Sequence, residues 1–154
     1  MSQGIAFVFP GQGSQSIGML QQYFSKEKKF NYVFDISKDV LGLDFKDLVL
    51  NGSPEDLSPT EITQPLMLTA NNAIWNCLEI DAQNITIMAG HSLGEFSAFV
   101  AAEALTFEDG LKLVSSRAKY MQEAVPEGEG AIAAIIGLNY EDLNSICLSI
   151  SKEG

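Results

Sequence analysis

Two short runs, one wholly apolar and one apolar except for Thr86, stand out from a background in which apolar residues recur every three or four positions. Ile5-Ala6-Phe7-Val8-Phe9 is stopped by Pro10 and Gly11, and predicts a strand buried on both faces. Residues 85–89 predict a second strand, ended by Gly90. Between them, Phe30, Val33, Phe34, Ser37, Val40 and Leu41 fall on one face of a helix. Ser53-Pro54-Glu55-Asp56 reads as a cap, a first-position proline and first-turn acids, and so predicts a helix start. Thr63-Gln64-Pro65 predicts another, continuing through Leu66, Ala73 and Ile80. After the second strand the small residues from Ser97 to Ala102 predict a helix. Thr106 with Asp109 forms a capping box ahead of Leu111, Val114, Ala118 and Met121, which share one side. Pro126-Glu127-Gly128-Glu129-Gly130 closes that helix as a loop. Residues 131–136 predict a third strand, and Asn139 with Asp142 a last helix. Strands alternating with helices that cover them make this an α/β chain.

Composition narrows the partners. Hydrophobic residues make up 46% of the 154, enough for a packed core. Nine basic against twenty acidic residues give a net charge of -11, which argues against nucleic acid or an anionic membrane as a partner held by bulk charge. An anionic ligand would need a local cation. Cys77 and Cys147 lie far apart, and with one histidine in the sequence they make no recognisable metal site, so both thiols read as core fillers. No apolar run reaches the length of a signal core or a membrane span, which makes a reducing cytoplasm the expected location.

Chemistry gathers at the second strand's end. Gly90-His91-Ser92-Leu93-Gly94 matches G-x-S-x-G, the turn that presents a serine hydroxyl above a sheet. The string alone arises by chance in roughly one chain in twenty of this length, so its weight comes from the strand before it and the helix after it. Such a turn forces unusual dihedral angles on the serine and leaves room only for small neighbours. The competing reading is a tight turn that merely packs a helix on a sheet. His91 is the only histidine, and as the serine's neighbour its side chain points elsewhere. The base of such a serine normally arrives from another loop.

Gly11-Gln12-Gly13-Ser14-Gln15 follows the first strand, where ligands collect in open α/β sheets. A dinucleotide fingerprint would need glycine at position 16, which is serine, and a P-loop lysine is missing as well. Gln12 and the N–H of Leu93 are instead candidates to hold an oxyanion beside Ser92. Arg117 flanks the apolar arc of its helix, away from Lys112 and Lys119. A guanidinium there calls for a carboxylate or hydrogen-bonding partner. One of the chain's own acids and a ligand carboxylate both satisfy that need.

Taken together, Phe9-Pro10-Gly11-Gln12-Gly13-Ser14-Gln15, Thr63-Gln64-Pro65, Gly90-His91-Ser92-Leu93-Gly94-Glu95, Arg117 with Met121-Gln122, and Gly130-Ala131-Ile132-Ala133-Ala134-Ile135-Ile136-Gly137 resemble the malonyl-CoA:acyl-carrier-protein transacylase family. The segments occur in that family's order and span nearly the whole chain. The resemblance implies a ping-pong transfer in fatty acid biosynthesis, from malonyl-CoA to Ser92 and then to the phosphopantetheine thiol of acyl carrier protein. It implies Ser92 as nucleophile, Gln12 and the Leu93 N–H as oxyanion hole, and Arg117 as holder of the malonyl carboxylate. No cofactor and no metal are implied, since the CoA thioester is a substrate. The fold implied is a hydrolase-like parallel sheet with a nucleophile elbow over residues 1–126, then the start of an inserted ferredoxin-like subdomain over 130–154. The chain departs from the family in having about half its expected length and no distal histidine, as a truncated part would.

Other readings use the same turn. A serine esterase or patatin-like lipase carries a run of glycines in its first loop, where this chain has glutamine between two glycines. The acyltransferase domain of a polyketide synthase would follow a linker, whereas the first strand here is expected to begin already at Ile5. A non-catalytic fragment that binds CoA or carrier protein is the reading that the missing base favours. Unpaired edges and exposed apolar surface are expected of such a fragment, with instability or association as the consequence.

Overall fold

The longest unbroken stretch of buried residues is not a strand but the middle of a helix. The computed structural model describes residues 4–125, 129 and 135–151. In it Thr60–Trp75 forms α4, whose residues from Thr63 to Ala73 are all buried. A helix buried on all sides belongs in a core, and α4 packs against three others: Lys28–Leu41 (α2), Leu93–Ala101 (α5) and Phe107–Glu123 (α6). Two short helices, Gln21–Phe24 (α1) and Phe45–Asn51 (α3), complete the layer around α2. The main core holds Phe30, Phe34, Phe45, Leu66, Leu68, Leu93, Leu111 and Val114. Each contributes about 1.5–3 kcal/mol by leaving water. Phe24, Phe30 and Phe34 also meet ring to ring at 4.8–5.1 Å.

Ile5–Phe9 (β1) and Ile85–Gly90 (β2) pair in parallel, from Ile5 opposite Ile85 to Phe9 opposite Gly90, with one irregularity after Ile5. Parallel pairing requires a crossover, and α1 to α4 provide it. One face of the pair is covered: Phe7, Phe9 and Met88 pack with Trp75, Ala98 and Ala101. The expectation of burial on both faces fails, because Val8 is 76% and Ile87 56% exposed. Within residues 4–124 helices lie on only one side of this sheet, so the alternate side chains face outward.

Several boundaries differ from the sequence pattern for local reasons. Helix α4 begins at Thr60, capped by Pro59, rather than at the Thr63-Gln64-Pro65 segment. Pro65 therefore lies inside the helix, where it forgoes the bond to the Glu61 carbonyl. The helix ends at Trp75, which leaves Ile80 beyond it. Ser53 and Asp56 do form reciprocal bonds, Ser53 N–H to Asp56 Oδ2 at 2.8 Å and Asp56 N–H to Ser53 Oγ at 3.3 Å. They close a single turn and no helix. Pro59 has no N–H with which to extend it. Met121 on α6 is exposed rather than aligned with the buried Leu111, Val114 and Ala118. The capping box at Thr106 is present, with its Oγ1 accepting from the Asp109 N–H at 3.1 Å.

The chain divides into two compact units, Met1–Ala124 and Val125–Gly154. In the second, Tyr140–Ile150 (α7) is capped by Asn139, whose side chain accepts from the Asp142 N–H at 2.9 Å. None of its residues is buried. Of the strand expected over 131–136, the first four positions lie outside the described residues, and Ile135 and Ile136 are not in a strand. The loop expected at 126–130 also lies outside them except for Glu129.

Candidate functional site

Strand β2 ends at Gly90 and α5 starts at Leu93, so His91 and Ser92 alone reverse the chain. Ser92 sits at φ 53 and ψ -110, a conformation that a side chain rarely tolerates and that costs of order 1–3 kcal/mol. Packing holds it there. A methyl added to Gly90 would lie 2.0 Å from the Gly94 carbonyl carbon, and one added to Gly94 would lie 2.1 Å from the Phe9 carbonyl oxygen. The turn is thus pressed backbone to backbone against the end of β1. Gly11 continues the same seam, since a Cβ there would meet the His91 carbonyl oxygen at 2.7 Å. Asn71, buried on α4, ties the loop down by donating to the Pro10 carbonyl and to Ser97 Oγ, both at 3.0 Å.

Four of the side chains nearest this turn form one hydrogen-bonded series. Arg117, projecting from α6, donates from Nη2 to Ser92 Oγ at 2.9 Å. Its Nη1 donates to Gln64 Oε1. Gln64 Nε2 donates to Thr60 Oγ1 at 2.8 Å, and Thr60 donates to Gln12 Oε1 at 2.9 Å. The guanidinium also lies 5.6 Å from the centroid of the Phe96 ring, on α5. The ion pairs among the described residues belong to Lys38, Lys112 and Lys119, so Arg117 has hydrogen-bonding partners and no carboxylate. Of the two partners the sequence left open for it, an acid of the chain itself is not used among the described residues.

The residues singled out from the sequence gather around this turn to different degrees. Ser92 and Arg117, 25 positions apart, are in direct contact. Gln12 joins them through two intermediates. Leu93 has a buried side chain, while its N–H belongs to the first turn of α5, where no intrahelical acceptor exists. That N–H is the positive end of a nine-residue helix beginning one residue after Ser92. His91 lies exposed in the turn, its carbonyl accepting from the Gly94 N–H at 2.9 Å. Sequence reasoning assigned no role to Thr60, Gln64, Asn71 or Phe96. The signal available for Gln64 was a polar amide in a helix otherwise rich in apolar groups, and the fold buries it fully.

Two clefts flank the site. One of about 460 Å³ lies beside Arg117, between Phe96 on α5 and Leu113, Tyr120 and Met121 on α6. A larger one, about 930 Å³, runs along β2 past Trp75, Glu95 and Phe99. The smaller cleft presents an almost wholly apolar wall beside a single cation. That combination suits a short carbon chain ending in an acid.

Comparison with known proteins bears on the family of the chain. Residues 6–147 match the acyl transferase domain family. Malonyl CoA-acyl carrier protein transacylase of Salmonella typhimurium is 45% identical over 143 residues, which cover 92% of this chain and 46% of that protein. The structure of the malonyl CoA-acyl carrier protein transacylase from Coxiella burnetii superposes with a TM-score of 0.87 at 48% identity, over 97% of this chain and 48% of that one. A malonyl-transacylase solved in complex with a type II PKS acyl-carrier protein gives 0.87 at 43% identity, over 97% and 49%. The chain spans about half the length of the curated relatives it matches. Across nearly all of that span, from β1 through the turn at Ser92 to α7, the chain belongs to the acyl transferase domain family.

Proposed function

We propose that these residues form the nucleophile-bearing part of a malonyl-CoA:acyl-carrier-protein transacylase of fatty acid biosynthesis. The observation that carries the reading is a guanidinium paired with no carboxylate among the described residues, one hydrogen bond from a strained serine hydroxyl. Ser92 Oγ attacks the thioester carbonyl of malonyl-CoA, its proton passing to a base, and the electron pair of the carbonyl moves onto oxygen. The N–H groups of Gln12 and Leu93 receive that charge. Collapse of the intermediate breaks the C–S bond, the CoA sulfur takes a proton, and malonyl-Ser92 remains. The phosphopantetheine thiol of acyl carrier protein then repeats the sequence in reverse and regenerates the serine. Throughout, Arg117 grips the free malonyl carboxylate through its planar fork.

In this reading the base comes from outside these residues. Arg117 has no lone pair to offer, and His91 is held in the turn that carries Ser92. Support for the serine chemistry comes from the strand-turn-helix geometry and from the sterically closed seam around Gly90 and Gly94. Support for the malonyl and carrier-protein substrates comes from the names borne by the relatives. One relative was solved with a carrier protein of type II PKS, which favours polyketide synthesis as a second reading.

Radiolabelled malonyl-CoA tests the proposal. In the whole protein, label should appear on the peptide containing Ser92, move to added acyl carrier protein, and vanish in the Ser92→Ala variant. Residues 1–154 alone should transfer label slowly, because they hold one histidine. Undiminished labelling of Ser92→Ala would end the reading. Offering fatty-acid and polyketide carrier proteins in competition separates the two pathways.

A further inference from the structure

We propose that Thr60 is a positioning residue that carries the orientation of Arg117, through Gln64, to Gln12. The inference rests on the acyltransferase reading for its catalytic consequence, though the relay itself is a matter of donors and acceptors. Arg117 is the fixed point, since a guanidinium only donates. Gln64 must therefore turn Oε1 toward Arg117. Its Nε2, which only donates, is then directed at Thr60 Oγ1. Having accepted there, the Thr60 hydroxyl directs its one proton to Gln12 Oε1. The Gln64 amide cannot reverse without setting donor against donor, so the cation fixes its direction, and in the structure the Thr60 hydroxyl passes the series on by donating its one proton to Gln12 Oε1.

The far end is where this matters. Gln12 lies between Gly11, pinned against the His91 carbonyl, and Gly13, which has φ +102 and open space for 4 Å around the place a methyl would take. Among the described residues the Gln12 side chain has one hydrogen-bond partner, Thr60. Losing it leaves the Gln12 side chain without a hydrogen-bond partner among the described residues, one position from the glycine that packs on the turn. The near end is anchored differently: Gln64 is fully buried, and Thr60 and Gln64 stand one helical turn apart on the same side of α4. A rigid helix thus holds the middle of the relay, while its two ends reach a loop and a separate helix.

The test uses Thr60→Val, which keeps the shape and removes the hydroxyl, and Thr60→Ser, which keeps the hydroxyl. On the chain itself, the Gln64 side-chain amide protons, followed by NMR on ¹⁵N-labelled protein, should exchange with solvent faster in Thr60→Val and return to the wild-type rate in Thr60→Ser. In the whole protein, Thr60→Val should slow acylation of Ser92 by malonyl-CoA and by acetyl-CoA alike, on the order of tenfold, short of the roughly 10²–10³ that outright loss of an oxyanion donor brings. KM for malonyl-CoA should stay nearly constant, and Thr60→Ser should restore the rate. Wild-type exchange and acylation in Thr60→Val would overturn the proposal. So would Thr60→Ser as slow as Thr60→Val, or a loss confined to malonyl-CoA, which would mean that the relay serves the guanidinium alone. Labelling of Ser92→Ala at the wild-type level would remove the acyltransferase reading instead, and the amide exchange would still decide the relay.

Discussion

Ser92 and Arg117 illustrate how little of a residue's role lies in its own side chain. A serine is a weak nucleophile until its surroundings act on it. Here the surroundings are a positive φ, two glycines without room for a methyl, and a cation at 2.9 Å. The arginine has the same character: without a carboxylate partner among the described residues and set above Phe96, it keeps its charge available. Replacing Arg117 with alanine should therefore discriminate between substrates. In the whole protein, transfer of malonyl is expected to fall on the order of ten- to hundredfold relative to acetyl, the worth of hydrogen bonds to a charged group. Parallel kcat/KM measurements on the two thioesters check this, and equal losses would remove Arg117 from carboxylate recognition.

At the scale of elements, caps and prolines decide where helices begin, and the packing of one helix decides the architecture. Asp44 caps α3, its side chain accepting from the Asp47 N–H at 3.0 Å and from Lys38 Nζ at 2.6 Å. The hydrogen bond from Lys38, with the Asp47 N–H next in importance, holds its carboxyl below the usual carboxylate range. A carboxyl depressed on folding stabilises the fold above its unfolded pKa, near about 4, and that contribution fades as pH falls through the folded value. Lys38 depresses the carboxyl most, but the pair is exposed on both sides, so the pH-dependent part of the stability is small and the cap hydrogen bond adds to it. Asp44→Ala should cost about 1 kcal/mol at neutral pH. In urea unfolding the gap between variant and wild type should close as the pH is lowered below about 4. A gap constant with pH would show that the cap acts without its charge.

Considered whole, the first unit carries its site at the margin of a sheet that is covered on one side. Val8 and Ile87 form an exposed apolar surface, and one edge of β2 borders an open cleft. Such surfaces tend to find partners. Residues 1–154 in isolation should associate as concentration rises, seen as a concentration-dependent mass in sedimentation. The pair Val8→Thr and Ile87→Thr should reduce that association while preserving strand preference. Unchanged association in the double variant would move its source elsewhere, for instance to the exposed Ile146, Leu148 and Ile150 of α7.

Much of this was legible in the amino-acid order because it depends on near neighbours. Apolar runs closed by proline or glycine placed both strands, with β1 at Ile5–Phe9 and β2 one residue longer than expected. The helical period of apolar residues placed α2 and α6, a run of small residues from Ser97 placed most of α5, and the caps at Thr106 and Asn139 follow from side chains three residues apart. Helix α3 went unread because seven residues carry too little periodicity. The strained turn was legible too, since its glycines and serine are adjacent. Tertiary structure decided which face of the sheet is covered, where α4 begins around its proline, and that Arg117 meets Ser92 and Gln64 rather than an acid. Burial is a property of what arrives from elsewhere in the chain, and hydrogen bonds spanning 25 to 53 positions leave no periodic trace in the sequence.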